Sequence, residues 1–204
     1  MIYEIRTYNI KPAMVPDYQA RFAEKLEGRL EFSPLAAHLY TEIGPINQVV
    51  AIWPYDSIDE RRRIRAEAED AGVWPPDTGD LVVSMVSDLY TPAPFMRPLS
   101  PQSSGPLYEL RTYTYPPEDI PEILRAWGDR IEAREGLSPL IGCWYRESGG
   151  AGNFAHMWAY ETFEERLRVR QEARERDIWP PPTTARLVTQ DSKILLPASF
   201  SPLQ

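Results

Sequence analysis

The sequence predicts an α+β protein built from two ferredoxin-like β-α-β-β-α-β repeats, packed as an intrachain dimeric α+β barrel. Three observations lead there. First, the 204-residue chain lies on itself at an offset of 105, without a gap until its last few residues. Second, each copy shows the same succession of strand-period and helix-period segments. Third, four antiparallel strands with both helices on one face leave the other face bare, and a bare sheet face needs a cover, for which the second copy is the obvious candidate.

The register of the repeat is specific. Tyr3-Glu4-Ile5-Arg6-Thr7-Tyr8 meets Tyr108-Glu109-Leu110-Arg111-Thr112-Tyr113, and Trp74-Pro75-Pro76 meets Trp179-Pro180-Pro181. The expected organisation is a first repeat over 1–91, a Pro/Ser-rich connector over 92–106 and a second repeat over 107–204.

Each element has a local reason. Residues 2–10 alternate and carry Ile, Tyr and Thr, which reads as a strand. From Val15, apolar residues recur at Tyr18, Phe22 and Leu26, which is helical spacing; in the second copy the stripe is Ile120, Ile123, Leu124, Trp127 and Ile131. Strands follow near 35–42 and 47–54, joined through Gly44-Pro45. Ser57-x-x-Glu60 and Thr162-x-x-Glu165 are capping boxes that open helices near 58–72 and 163–177. Final strands are expected over 81–89 and 187–195. The two Trp-Pro-Pro runs end the second helices, because proline cannot continue them. Their tryptophans are read as plugs at the end of the core, with a lid over a pocket as the rival.

Composition excludes several functions. The formal net charge is −8 and the pI about 4.9, which argues against a nucleic-acid binder and weakly against adhesion to an anionic membrane. No apolar run approaches the ~20 residues a membrane span needs. Met1-Ile2-Tyr3-Glu4-Ile5-Arg6 enters the strand pattern at once and leaves no room for a signal peptide, so a cytoplasmic location is expected. One cysteine, Cys143, makes no internal disulfide, and two histidines without an H-x-x-x-H spacing make no three-ligand zinc site. No metal and no cofactor is therefore expected; a single axial haem ligand is the one such role the histidines leave open. No P-loop, G-x-G-x-x-G or G-x-S-x-G is present.

The candidate site lies in the second copy. His156 stands in step with Phe154, Trp158 and Tyr160 on one strand face. A histidine among aromatics can act as a base or hold a polar group of a ligand, and a hydrogen-bonded core histidine is the ordinary alternative. His156 is the candidate catalytic residue, and Tyr113, Trp144, His156, Trp158, Tyr160 and Arg111 are the candidate ligand-binding set. Arg6 and Arg111, with Glu4 and Glu109 two residues earlier, read either as ion pairs inside the barrel or as anchors for an anion. Arg61/Arg65 and Arg166/Arg170 are i,i+4 pairs of like charge that need an answer; Glu60, Glu67, Glu165 and Glu172 are the acidic neighbours in sequence, and a bound anion or a partner carboxylate is the alternative.

Glu4-Ile5-Arg6-Thr7-Tyr8, Glu42-x-Gly44-Pro45-x-Asn47-Gln48-Val49-Val50, Trp53-x-Tyr55 and Glu60-Arg61-x-x-x-Arg65 resemble the NIPSNAP family, once per copy and over nearly the whole chain. The resemblance implies the dimeric α+β barrel superfamily, similar in fold to cofactor-independent monooxygenases, haem-degrading enzymes and stress-responsive barrel proteins. It implies links to mitochondria and vesicle traffic for eukaryotic members, and it carries no agreed catalytic residues. The chain departs from the family pattern twice: Gly149-Gly150-Ala151-Gly152-Asn153 replaces the turn, and Ala51 stands where the pattern favours the histidine kept as His156.

These features lead to a barrel protein that binds a small apolar or aromatic ligand, with catalysis possible. The rival readings are a non-catalytic interaction scaffold and a cofactor-independent monooxygenase or isomerase. A monomer or homodimer is expected, because an internal pseudo-dimer covers its own sheet faces.

Overall fold

The computed structural model describes residues 1–147, 149–150 and 152–204. Ala151, in the glycine-rich turn singled out above, lies outside the described residues. The chain divides into two compact units: Met1–Leu89 with Ser100–Gln102 and Leu196–Gln204, and Tyr90–Leu99 with Ser103–Leu195.

In the first repeat the order is β1 (Ile2–Ile10), α1 (Val15–Leu30), β2 (Ala37–Ile43), β3 (Gln48–Tyr55), α2 (Ile58–Asp70) and β4, which runs over Val82–Pro92. In the second it is β5 (Leu107–Thr114), α3 (Ile120–Glu135), β6 (Leu140–Tyr145), β7 (Asn153–Tyr160), α4 (Phe163–Glu175) and β8, over Thr189–Pro197. Strands neighbour one another as β4-β1-β3-β2 and as β8-β5-β7-β6, the same ferredoxin-like order twice. The final strands start one or two residues later than the sequence predicts and run further.

The helices fold for the reasons their patterns give. Helix α1 carries Pro16 in its first turn, where the missing N–H costs nothing, and buries Tyr18, Phe22, Leu26 and Arg29 along one face. Helices α2 and α4 are capped by Ser57 and Thr162, which accept from the backbone N–H of Glu60 and Glu165 at 3.1 and 3.0 Å. The reciprocal carboxylates reach one residue further back than the usual box, to the N–H of Asp56 and of Glu161.

Buried Glu4 and Glu109 answer the arginine pairs. Glu4 takes Arg61 at 2.6 Å, Arg6 at 3.4 Å and Arg65 at 4.0 Å; Glu109 takes Arg166 at 2.7 Å, Arg111 at 2.9 Å and Arg170 at 3.6 Å. This corrects two expectations. The ion pairs lie between each sheet and its own second helix, not inside a barrel. The partner of each i,i+4 pair is a strand carboxylate, not one of the helix's own glutamates. Ser87 and Ser192 complete the clusters by donating to the same two carboxylates. The surrounding cations hold both carboxyls ionised: Glu109 falls to about 2 and Glu4 is lowered as well, the arginine contacts outweighing burial.

In the first unit the sheet face under α1 is closed by aromatics. His38 lies directly across from Ala51, and its ring fills the room that alanine leaves, 4.4 Å from Phe22 and 4.8 Å from Phe200. Tyr18 sits 5.4 Å from Tyr8 in the same layer. The second unit reverses the cross-strand pair: Cys143 stands across from His156, so the small residue is on β6 and the ring on β7.

Candidate functional site

The reversal places His156 under α3 and α4, where the second unit has a cavity of about 200 Å³. Strand β7 supplies His156, Trp158 and Tyr160 to its wall, β5 supplies Arg111 and Tyr113, and α3 supplies Trp127 and Arg134. Helix α4 adds Arg170, Ala173 and Arg174, and the loop beyond it adds Trp179 and Thr183.

Its aromatic wall is tightly coupled. The Trp127 ring is 4.7 Å from His156 and 4.5 Å from Trp179, and Tyr113 meets His156 edge-on at 4.9 Å. Arg134 lies 4.1 Å over the Trp158 ring and donates to Ser138 and Tyr160 at 2.8 and 3.1 Å, which holds Trp158 in place. Arg29 repeats the arrangement over Trp53, with Ser33 and Tyr55, so this part is framework. Trp74 is buried, whereas Trp179 is half-buried and borders the cavity; the two tryptophans thus divide between the plug and the wall.

His156 is 1% exposed. Its Nδ1 accepts a hydrogen bond from Trp158 Nε1 at 2.8 Å, while Nε2 has no hydrogen-bond partner among the described residues. An indole N–H only donates, so Nδ1 must carry the lone pair and Nε2 the proton. Burial first, and then the field of Arg111, push the imidazole well below its usual range, so it is neutral at physiological pH. The side chain is therefore a neutral N–H donor. It is not placed to act as a base, because its remaining nitrogen is already protonated.

The phenols are donors too. Burial raises Tyr113, and raises Tyr115 to about 12. Tyr113 Oη accepts from Arg111 Nε at 2.8 Å and from Gln190 Nε2 at 3.3 Å, so its own proton is left to give. Among the described residues no Asp or Glu lines the cavity.

Five of the six residues named from the sequence as ligand-binding border this cavity: Arg111, Tyr113, His156, Trp158 and Tyr160. Trp144 does not. It pairs with Ala155 across the sheet, and cross-strand partners share a face, so Trp144 lies on the face opposite His156. Cys143 is the residue that shares the face of His156, and it is fully buried with its thiol pushed up by desolvation. Sequence reasoning missed Trp127, Arg174 and Thr183 as wall residues. Trp127 was visible as part of the α3 stripe; the other two carried no signal. Among the described residues no group of three or more His, Cys, Asp or Glu is placed to hold a metal, and no helix is long and apolar enough to cross a membrane.

The family model described as NIPSNAP matches residues 3–97 and again 108–202. The chain is 26% identical to Protein NipSnap homolog of Dictyostelium discoideum, over 98% of this chain and 88% of that one. It is 26% identical to human Protein NipSnap homolog 3B, over 99% and 85%. Among solved structures, a putative monooxygenase from Lactobacillus acidophilus shares the fold over 96% of this chain and 92% of its own, with a TM-score of 0.64 at 11% identity.

Proposed function

Since the chain belongs to the NIPSNAP family, whose shared pattern brings no agreed catalytic residues with it, we propose from the geometry that its second unit is a receptor for a small, flat, apolar or aromatic ligand. The observation that carries this is the cavity of about 200 Å³ walled by Trp127, His156, Trp158 and Trp179. Apolar walls with a few converging polar groups are what small-molecule sites use. An empty apolar cavity of ~150 Å³ takes up benzene, so this one has room for one or two fused rings.

Binding comes ahead of catalysis in this reading because His156 offers a proton and does not accept one. A neutral imidazole can still polarise a bound carbonyl, which is the chemistry any turnover here would draw on. The Lactobacillus acidophilus protein is called a putative monooxygenase, and at 11% identity that name speaks for that protein and not for this one. With a lone buried cysteine, we read the chain as cytoplasmic, and as a monomer or homodimer, which light scattering distinguishes.

The experiment is a screen of one- and two-ring aromatic compounds by tryptophan fluorescence and protein NMR. Binding should perturb the indoles of Trp127 and Trp179 and the ring of His156 at one site per chain. Ala173→Leu, which adds volume from α4 into the cavity, should weaken it. If no compound binds, or if the Ala173→Leu protein binds as well as the parent, the cavity is not the site.

A further inference from the structure

The two copies allow the cavity to be compared with its counterpart at matched positions. The framework is common to both: the buried glutamate with its three arginines, and the arginine stacked on tryptophan. Six cavity positions differ in hydrogen-bonding chemistry. Tyr115, Trp127 and Thr184 stand where the first copy has Ile10, Phe22 and Gly79. His156 replaces Ala51, Gln190 replaces Met85 and Arg174 replaces Glu69. Each replacement brings in a donor, and the last also turns a negative charge into a positive one.

The donors point to an electron-rich partner. His156 Nε2–H is buried and unpartnered among the described residues. Gln190 and Arg111 both donate to Tyr113 Oη, which leaves the phenolic proton for a third group. Arg174 is exposed at the rim, and no ion pair holds it among the described residues. Beneath the wall, three cations surround the single carboxylate of Glu109. The result is a locally cationic, donor-rich cavity whose lining holds no carboxylate among the described residues, in a chain whose formal net charge is −8. A buried donor left unpaired costs more than one that is satisfied, so the preferred ligand brings acceptors to it. Charge-assisted bonds are about twice as strong as neutral ones, which favours an anion.

We infer that the ligand is an aromatic carboxylate, whose ring stacks among the tryptophans and whose oxygens accept from His156 Nε2–H while Arg174 supplies charge at the rim. The inference rests on the reading of the cavity as a small-molecule site and names the chemical class that site selects.

The test uses an isosteric pair, 2-naphthoate and 2-naphthamide, titrated calorimetrically into the full chain at low and moderate salt. The carboxylate should bind about tenfold tighter or better, with a preference that shrinks as salt rises. Arg174→Glu, which restores the residue of the first copy, should cut that preference severalfold, the carboxylate losing more affinity than the amide. His156→Phe, which keeps a ring in the wall, should also reduce it. Arg174 is exposed, so its variant keeps the test decisive if the His156 variant does not fold. Equal binding of the two compounds, or a preference for the amide, overturns the anion and leaves the cavity reading standing. A carboxylate preference that survives Arg174→Glu and every foldable His156 variant also overturns it. If neither compound binds in the cavity, both readings fall.

Discussion

The Nε1–H of Trp158 donates to Nδ1 of His156 at 2.8 Å, and this one bond decides what the histidine can do. With Nδ1 occupied as an acceptor, the mobile proton resides on Nε2, and burial keeps a second proton away. Nitrogen-detected NMR should therefore show His156 as the neutral Nε2–H tautomer throughout pH 5–8. Trp158→Phe should release the ring to both tautomers. A His156 that titrates near its ordinary value of 6.5 would show that the ring is hydrated and that the donor assignment fails.

Stability should fall as the solution is acidified below pH 6.5. His38 is pushed down to about 3 and His156 well below 6.5, in both cases chiefly by burial. In that window the unfolded chain binds protons that the folded chain refuses. The unfolded state is thus favoured as pH drops, by up to about 1.4 kcal/mol per pH unit for each histidine, and the effect vanishes above 6.5. Glu4 and Glu109, both lowered, add the same sign only below about 4.5. Neither nitrogen of His38 has a hydrogen-bond partner among the described residues, so His38→Phe should hold or raise stability at pH 7 and remove its share of the slope. Urea unfolding at pH 5, 6 and 7 measures this, and an unchanged slope in the variant would contradict it.

The two buried carboxylates should be about equally costly to neutralise. Glu4→Gln and Glu109→Gln each leave three arginines facing a group that no longer carries charge, at about 3–5 kcal/mol by the usual cost of breaking a buried pair. Denaturant midpoints of the two variants should shift together. A large loss for one and none for the other would mean that the repeated cluster is not a common framework.

Gly142 should not tolerate a side chain. A Cβ built there would overlap the ring of Trp144, which is fully buried and has nowhere to go. Gly142→Ala should cost about 1–3 kcal/mol, the usual range for overpacking. Thermal or chemical unfolding reads the loss, and a neutral substitution would mean that Trp144 is free to repack.

Much of the fold could be read from the residues. The repeat fixed where each strand and helix falls, and the capping motifs at Ser57 and Thr162 marked the helix starts within a residue. Strand alternation also brought His156, Trp158 and Tyr160 to one face. Trp144 was misassigned because aligning the copies shows which residues correspond, while only strand pairing shows which face they share. The one-residue parity between Cys143 and Trp144 decides it. The exchange of His38 and Ala51 for Cys143 and His156 was visible as unmatched residues, but its meaning required knowing that each pair is cross-strand. The tautomer of His156 and the convergence of helix arginines on Glu4 and Glu109 depend on side-chain directions in space, which no periodicity encodes.

Whether the cavity beside His156 is a ligand site is tested most directly by a crystal structure of the full chain grown with 2-naphthoate. Density for the ring is expected between Trp127 and Trp179, with a carboxylate oxygen within hydrogen-bonding distance of His156 Nε2. A cavity that stays empty while the compound sits elsewhere, or a cavity closed by inward movement of Trp179 with His156 Nε2 bonded to protein, would contradict it.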